Sequence, residues 1–213
     1  MNAYSTFSII AVDPDTGEIG SGVASCALAA GFAVPHFNLH GVIHTQHHAS
    51  PSIATNIFLN SKRVVHPTEA IRLSLVVDPA REKRQILCIN LNGAGAAFTG
   101  SECLEKHHQV VGHNFVAGGN TLAKVQVIEA MAEAFNESNK EPMSLRLLAA
   151  LVAGELIGGD KRGKQSASLR VVNPRDPEGW YKYPDLRVDD HDMPLDELNR
   201  LHEIFMEKRR GWS

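Results

Sequence analysis

The sequence predicts an α+β domain in which antiparallel sheets are covered by helices. The predicted elements come in blocks: strands, two helices, strands, two helices, and a final strand and helix. This order lacks the strict strand–helix alternation that is typical of a parallel sheet. An Asp-Pro-Asp-Thr-Gly turn over 13–17 and a second turn at Asn92-Gly93 each lie between β-type runs and indicate hairpins.

The first half of the chain supplies most of the strands. A short apolar run over 7–12 ends at the first turn, and a run of small residues follows it. Such small side chains suit the close approach of another layer or of a ligand. Two helices come next, and the second starts at Pro67, a residue that suits the first helical position. The elements predicted here are strands over 7–12, 18–25, 34–38 and 42–46 and helices over 52–61 and 67–77.

The second half contains the clearest helices. Apolar residues recur at three- and four-residue spacings over 122–136 and 143–157. A segment over 173–184 is rich in proline and aromatic residues, and we predict an irregular loop there. The remaining predicted elements are strands over 85–91, 96–99, 110–117, 166–172 and 185–188 and a helix over 195–209.

The composition is typical of one globular domain spanning residues 1–213. A net charge of −3 and a pI near 6.4 argue against a nucleic-acid-binding protein. No uncharged apolar run approaches the roughly 20 residues that cross a bilayer, so we expect no membrane contact. The N-terminus lacks the pattern of a secretory leader, which predicts a cytoplasmic location. The three cysteines have no CxxC spacing, and we predict buried thiols and no cofactor.

Ser5-Thr6 at the start of the first strand is the first candidate site. A hydroxyl is a weak nucleophile until a base removes its proton, and a free α-amine can serve as that base. A threonine that becomes the first residue of a chain therefore needs no histidine partner. The alternative is that Thr6 is an ordinary β-branched residue at the start of a strand.

A glycine-rich segment, GGDKRGKQSA over 158–167, lies between a helix and a strand and is the second candidate site. Its glycines allow sharp turns, and Asp160 and Arg162 could orient a nucleophile or bind a carboxylate. The spacing of a phosphate-binding loop is absent. The alternative is a helix C-cap followed by a solvated charged turn.

Two weaker candidates involve histidine. Asp189, Asp190 and His191 are dense enough to bind a divalent cation, although their spacing fits no calcium loop, and a hydrogen-bonded turn is an equal alternative. His40 and His44 would share a strand face with Gln46, which is only half a zinc site. His47 leaves the end of the predicted fourth strand, where binding sites often lie.

Four segments together resemble a known family. They are TFSI from Thr6, AFTG from Ala97, the glycine-rich segment, and LRVDDH from Leu186. In this order and spacing they resemble the family called domain of unknown function 1028, which is placed in the Ntn-hydrolase-like superfamily. The resemblance runs from Thr6 to about Leu201.

The resemblance implies a four-layer α-β-β-α sandwich and a set of catalytic roles. It places Thr6 at the nucleophile's position, Asp160 where an aspartate helps to orient that nucleophile, and Ser25 at a strand end that is acidic in proteasome subunits. Those subunits also carry a lysine on the third strand, whereas the segment over 32–38 offers only His36 as a basic group.

We therefore expect an amide hydrolase that acts on a small substrate at C–N bonds other than peptide bonds. Thr6 would attack after removal of residues 1–5, and the predicted substrate-binding residues are Arg162, Gln165, Ser166 and His47. A chain that keeps residues 1–5 has an amide at Thr6, and an amide cannot act as the base. The alternatives are an unprocessed protein that binds a small metabolite, and a metal-assisted hydrolase built on Asp189, Asp190 and His191. We also expect a homo-oligomer, with aromatic residues near Trp180 at the interface.

Overall fold

The computed structural model describes residues 3–64, 66–103 and 106–211. The fold is α+β, with two antiparallel sheets and helices packed on them, as predicted. The strands are β1 (Ala3–Tyr4), β2 (Thr6–Val12), β3 (Ile19–Ser25), β4 (Pro35–Asn38), β5 (Gly41–His48), β6 (Arg84–Asn90), β7 (Gly95–Thr99), β8 (His108–Gly112), β9 (Phe115–Gly119), β10 (Ser166–Val172) and β11 (Asp185–Val188).

The helices lie between these strands. They are α1 (Ala30–Ala33), α2 (Pro51–Ser61), α3 (Pro67–Leu75), α4 (Gln126–Glu137), α5 (Met143–Leu156) and α6 (Pro194–Arg209), with 3₁₀ turns at Arg81–Lys83 and Pro177–Lys182. None of the helices in the described ranges combines the length and apolarity that a bilayer crossing requires.

The first sheet is organised around β5. Strand β6 pairs along nearly the whole of one edge of β5, and β7 pairs with β6. The other edge of β5 is shared, because β4 pairs with its first half and the two-residue β1 pairs with His47 and His48 at its end.

The second sheet has the strand order β11-β10-β3-β2-β9-β8. Its central strands are in a register that places Thr6 opposite Ser25, and Ser25 opposite Ser166. Because the side chains of directly paired residues lie on the same face of a sheet, three hydroxyls form a row across one end of it.

Three apolar clusters hold these elements together, and their burial supplies most of the driving force for folding. Helices α4 and α5 pack on one face of the second sheet, and α2 and α3 pack on one face of the first. The sheets face each other through a third cluster: Ile10, Val12, Ile19 and Val116 from the second sheet, with Val42, Leu87 and Ile89 from the first.

Several predicted boundaries were wrong for local reasons. The single strand predicted over 110–117 is a hairpin of β8 and β9, whose turn contains Asn114 in the left-handed region at φ 62°. Helix α1 was not predicted, and its C-cap residue Val34 was expected to be the first residue of β4, which starts at Pro35. The predicted helix over 122–136 starts at Gln126, and the predicted loop over 173–184 contains a 3₁₀ turn.

Candidate active site

The row of hydroxyls at the end of the second sheet lies in the protein interior. Thr6, Ser25 and Ser166 are at most 2% exposed. Thr6 shares its strand face with Ser8 and Ile10, which point towards the first sheet, whereas Phe7 and Ile9 point towards α4 and α5. The predicted nucleophile therefore faces the space between the two sheets.

Residues 4 and 5 cover Thr6. The chain pairs with the first sheet at Tyr4, which lies opposite His47, and enters the second sheet at Thr6. Ser5 bridges the two sheets and is 1% exposed. The Thr6 hydroxyl donates to the Tyr4 carbonyl oxygen at 2.8 Å, so its proton is directed back along the preceding segment.

The carbonyl of Ser5, on the N-terminal side of Thr6, accepts two side-chain hydrogen bonds. The Ser25 hydroxyl donates to this oxygen at 2.6 Å, and Nη2 of Arg162 donates at 2.9 Å. Preorganised donors aimed at one carbonyl oxygen stabilise the negative charge that develops there when the carbonyl carbon is attacked. The site thus aims two side-chain donors at one peptide carbonyl of the chain itself.

Asp160 holds Arg162 in this position. Its carboxylate accepts from Nε of Arg162 at 3.0 Å and from Nη2 at 2.6 Å, and it also accepts from the Cys26 backbone N–H at 3.2 Å. Hydrogen bonding to the carboxylate raises the pKa of Arg162, which remains a cation. The prediction that Asp160 helps to orient Thr6 stays a prediction; the hydrogen bonds of its carboxylate go to Arg162 and to the Cys26 N–H.

The glycine-rich segment forms the turn that brings these two charged residues together. Gly158 and Gly163 have φ values of 125° and 119°, which only glycine adopts without strain, and Gly159 lies in the left-handed region at φ 52°. A bridge between Asp160 and Leu122, with a hydrogen bond from Lys161 N–H to the Thr121 carbonyl, ties the turn to the end of β9.

Gln165 and Ser166 have structural partners. The Gln165 side chain donates to Asp190 at 3.0 Å, and its backbone N–H donates to the Ser25 carbonyl at 2.9 Å. The Ser166 hydroxyl donates to the Ala27 carbonyl at 2.6 Å and does not contact Ser5. Both residues hold the β3–β10 end of the sheet, and the substrate-binding role predicted for them stays a prediction.

The remaining predicted residues lie outside this cluster. His47 sits in the left-handed region at φ 61°, between Tyr4 on one edge of β5 and Arg84 on the other, and its Nδ1 is 2.9 Å from the Lys83 carbonyl. Asp189 is paired with Arg187, and His191 Nδ1 accepts from the Met193 N–H. Within the described residues, no three His, Cys, Asp or Glu side chains converge to hold a metal ion.

A buried polar network between the sheets was largely missed by the sequence analysis. It starts at Ser21 and His44 and passes through Gln46 and Gln85. Its residues are at most 2% exposed, except Thr99, which forms a side branch. The linked side chains, in order, are Ser21, His44, Ser8, Gln46, Gln85, Asn120, Thr121 and Ser5, with a branch from Gln85 to Thr99. The signal available in the sequence was Gln85, a polar residue at the start of an otherwise apolar strand run.

The network fixes the tautomer of His44. Ser8 donates to Oε1 of Gln46, an atom that can only accept, so Ser8 must accept from Nδ1–H of His44. The other ring nitrogen then accepts from the Ser21 hydroxyl at 2.7 Å. Complete burial, with a smaller contribution from His36, lowers the pKa of His44 to about 3, so this imidazole is neutral near pH 7 and is a weak base.

Asn120 and Thr121 connect this network to Ser5. The Asn120 side chain donates to Gln85 at 2.9 Å, and its backbone N–H donates to the Thr6 carbonyl at 3.0 Å. The Thr121 hydroxyl donates to the Ser5 hydroxyl at 2.8 Å. A small pocket of about 70 Å³ lies beside Ser25 and Asp160.

Comparison with known proteins finds a matching family model and a similar solved structure. Residues 6–198 match the model of a family described as a family of unknown function, DUF1028. A crystal structure of a Silicibacter pomeroyi protein, described as a DUF1028 protein, superposes with a TM-score of 0.82 at 34% sequence identity, and the match covers 93% of this chain and 88% of that one. No curated protein matches the chain.

Proposed function

The chain belongs to the DUF1028 family of unknown function, and from that premise we propose that it is an amide hydrolase with an N-terminal nucleophile. In this proposal the Ser5–Thr6 bond is first cleaved by the Thr6 hydroxyl. The freed α-amine of Thr6 then serves as the base for hydrolysis of a small amide substrate.

One observation carries the proposal: the peptide carbonyl before Thr6 is the acceptor of two side-chain donors. Ser25 and Arg162 come from distant parts of the sequence, and both donate to Ser5 O. The Ser25 side chain is buried, and the Arg162 side chain, although 35% exposed, is fixed on this oxygen by Asp160. Two donors on the carbonyl preceding a threonine suit the bond that a self-cleaving chain has to activate.

The cleavage balances with water as its only co-reactant. The Thr6 oxygen bonds to the Ser5 carbonyl carbon, the C–N bond breaks, and the hydroxyl proton passes to the departing nitrogen. Water then hydrolyses the resulting ester and releases the Ser5 carboxylate. Ser25 and Arg162 stabilise the oxyanion in both steps, and Asp160 acts as a positioning residue for Arg162.

The superfamily and the layer order belong to the same proposal. Helices α2 and α3 on one sheet, α4 and α5 on the other, and an apolar cluster between the sheets support a four-layer α-β-β-α sandwich of the Ntn-hydrolase-like kind. Self-association and a cytoplasmic location remain predictions, and the 75% exposure of Trp180 supports the first.

The alternative function is an unprocessed protein that binds a small acidic metabolite. The observation in its favour is that Thr6 is fully buried and its hydroxyl is held by the Tyr4 carbonyl. That protein would keep residues 1–5 permanently, and Arg162, 35% exposed at its side chain, would reach the ligand through Nη1, which is outside the bonds to Asp160 and Ser5.

Turnover of small amides by the wild type, Thr6→Ser and Thr6→Ala separates the two functions. We expect activity in the wild type, reduced activity in Thr6→Ser and none in Thr6→Ala. Equal activity in wild type and Thr6→Ala would refute the nucleophile. Thermal stabilisation by small dicarboxylates that survives Thr6→Ala but not Arg162→Ala, without turnover, would establish the alternative.

A further inference from the structure

Ser5 is buried, and surrounding side chains bind both its carbonyl oxygen and its hydroxyl. Its carbonyl oxygen accepts from Ser25 and Arg162, and its hydroxyl accepts from Thr121 at 2.8 Å. Ser5 itself is 1% exposed. The pocket around Ser5 is therefore matched to a small side chain that carries a hydroxyl one carbon from the α-position.

The proposed self-cleavage makes this pocket the acyl site of the processed enzyme. Cleavage at Ser5 passes through an ester in which the Thr6 oxygen carries the acyl group of Ser5. Hydrolysis of an amide substrate passes through the same ester with the substrate's acyl group in place of Ser5. Once residues 1–5 leave, a substrate acyl group meets the same donors.

Thr121 is placed to select that acyl group. It is 2% exposed, and its backbone is held in the left-handed region at φ 55°, which costs a β-branched residue and is retained where the surroundings require it. In this position its hydroxyl lies between Ser5 and Asn120 Oδ1, at 2.8 and 3.5 Å. An acyl group without a hydroxyl would leave this buried donor with only the longer contact.

The path of the preceding residue defines the other end of the acyl group. Tyr4 pairs with His47 on the edge of β5 that β4 also uses, beyond the end of β4, and packs against an apolar cluster of Val23, Ala30 and Val34. A substrate whose acyl group carries a substituent on its α-nitrogen can place that substituent along the same edge, where its backbone groups hydrogen-bond to β5.

We propose, on the basis of the proposed function, that the substrate is an amide of an N-substituted seryl group or a close β-hydroxy relative. Thr121 is its specificity-determining residue. Ser25 and Arg162 bind its carbonyl, and the edge of β5 receives the substituent on its nitrogen.

The test uses the full-length protein after self-cleavage, with three fluorogenic probes: the aminocoumarin amides of N-acetyl-Tyr-Ser, N-acetyl-Tyr-Ala and N-acetyl-Tyr-Leu. We expect the seryl probe to be preferred about tenfold over the alanyl probe, since one hydrogen bond distinguishes them. The leucyl probe should fall by roughly 100-fold because the pocket around Ser5 is matched to a small side chain. Thr121→Val should remove the seryl preference, whereas Thr121→Ser and the exposed Thr55→Val should keep it.

The outcomes distinguish this inference from the function on which it rests. Coumarin release that favours the leucyl probe, or a seryl preference that persists in Thr121→Val, overturns the inference and leaves the hydrolase in place. Absence of both cleavage and coumarin release in every variant overturns both. If Thr121→Val does not fold, the rates of self-cleavage in Ser5→Thr, Ser5→Ala and Ser5→Leu supply the same comparison, and they should fall in that order.

Discussion

The Ser5 carbonyl oxygen and Nη2 of Arg162, which are 157 residues apart in the sequence, are joined by a hydrogen bond of 2.9 Å. This contact connects the segment before Thr6 to the turn after α5. Since the Ser25 hydroxyl reaches the same oxygen at 2.6 Å, the activated carbonyl receives donors from β3 and from the glycine-rich segment together.

Removal of the Ser25 hydroxyl should slow cleavage of the Ser5–Thr6 bond by roughly 100-fold or more, because one donor of an oxyanion hole is lost. The measurement is a time course of intact mass for Ser25→Ala. Ser168→Ala is the matched control, since Ser168 is also buried in the second sheet, two residues further along β10 than Ser166. Equal slowing of both variants would show a general effect of losing a buried hydroxyl.

Asp160→Asn should weaken both folding and cleavage. The Asp160 side chain is buried and paired with Arg162, whose own side chain is 35% exposed, so the loss is smaller than for a fully buried pair. We expect a decrease of about 1–2 kcal/mol in the free energy of unfolding, measured by urea titration. The cleavage rate should fall further than the loss of folded protein explains, because Arg162 is no longer fixed. A rate unchanged in the folded fraction would contradict the positioning role of Asp160.

His44 should make the protein less stable as the pH falls below neutral. Its pKa is about 3 in the folded protein and 6.5 ordinarily, so the unfolded chain binds the proton more tightly. The stabilisation is complete above pH 6.5 and is lost progressively towards pH 3. Between pH 7 and pH 5 the loss is about 2 kcal/mol.

Urea unfolding of wild type and His44→Gln at these two pH values measures this contribution. His36, His48 and His202 also have lowered pKa values, chiefly through burial. They contribute to the pH dependence of the free energy of unfolding in the wild type and in His44→Gln alike. The pH dependence should therefore be shallower by about 2 kcal/mol in His44→Gln. Identical slopes would mean that His44 takes up a proton in the folded state.

Local patterns in the sequence predicted most of the fold. Strands β10 and β11 have the predicted limits, because β-type runs with clear turn signals define them. The hairpin of β8 and β9 was missed because valines continue the apolar run on both sides of Asn114, and only a left-handed turn residue marks the break. The overall class, α+β with antiparallel sheets, was confirmed.

The candidate site was harder to predict because its contacts join distant segments. The sequence pointed to Thr6, Ser25, Asp160 and Arg162, and the structure brings these four residues together. Nothing in the sequence indicated that Arg162 would bind Asp160 and Ser5 in place of a substrate carboxylate. Thr121 was missed since nothing in the local sequence shows that the end of β9 reaches Ser5.

The central claim is that the Thr6 oxygen takes over the acyl group of Ser5. Neutral hydroxylamine traps such an ester, so the direct measurement is the intact mass and N-terminal sequence of the full-length protein incubated with and without it. We predict release of the segment that ends at Ser5 as a hydroxamate, a remaining chain that begins at Thr6, and no release from Thr6→Ala. An uncleaved Ser5–Thr6 bond in the wild type under both conditions, or cleavage that persists in Thr6→Ala, would contradict the account.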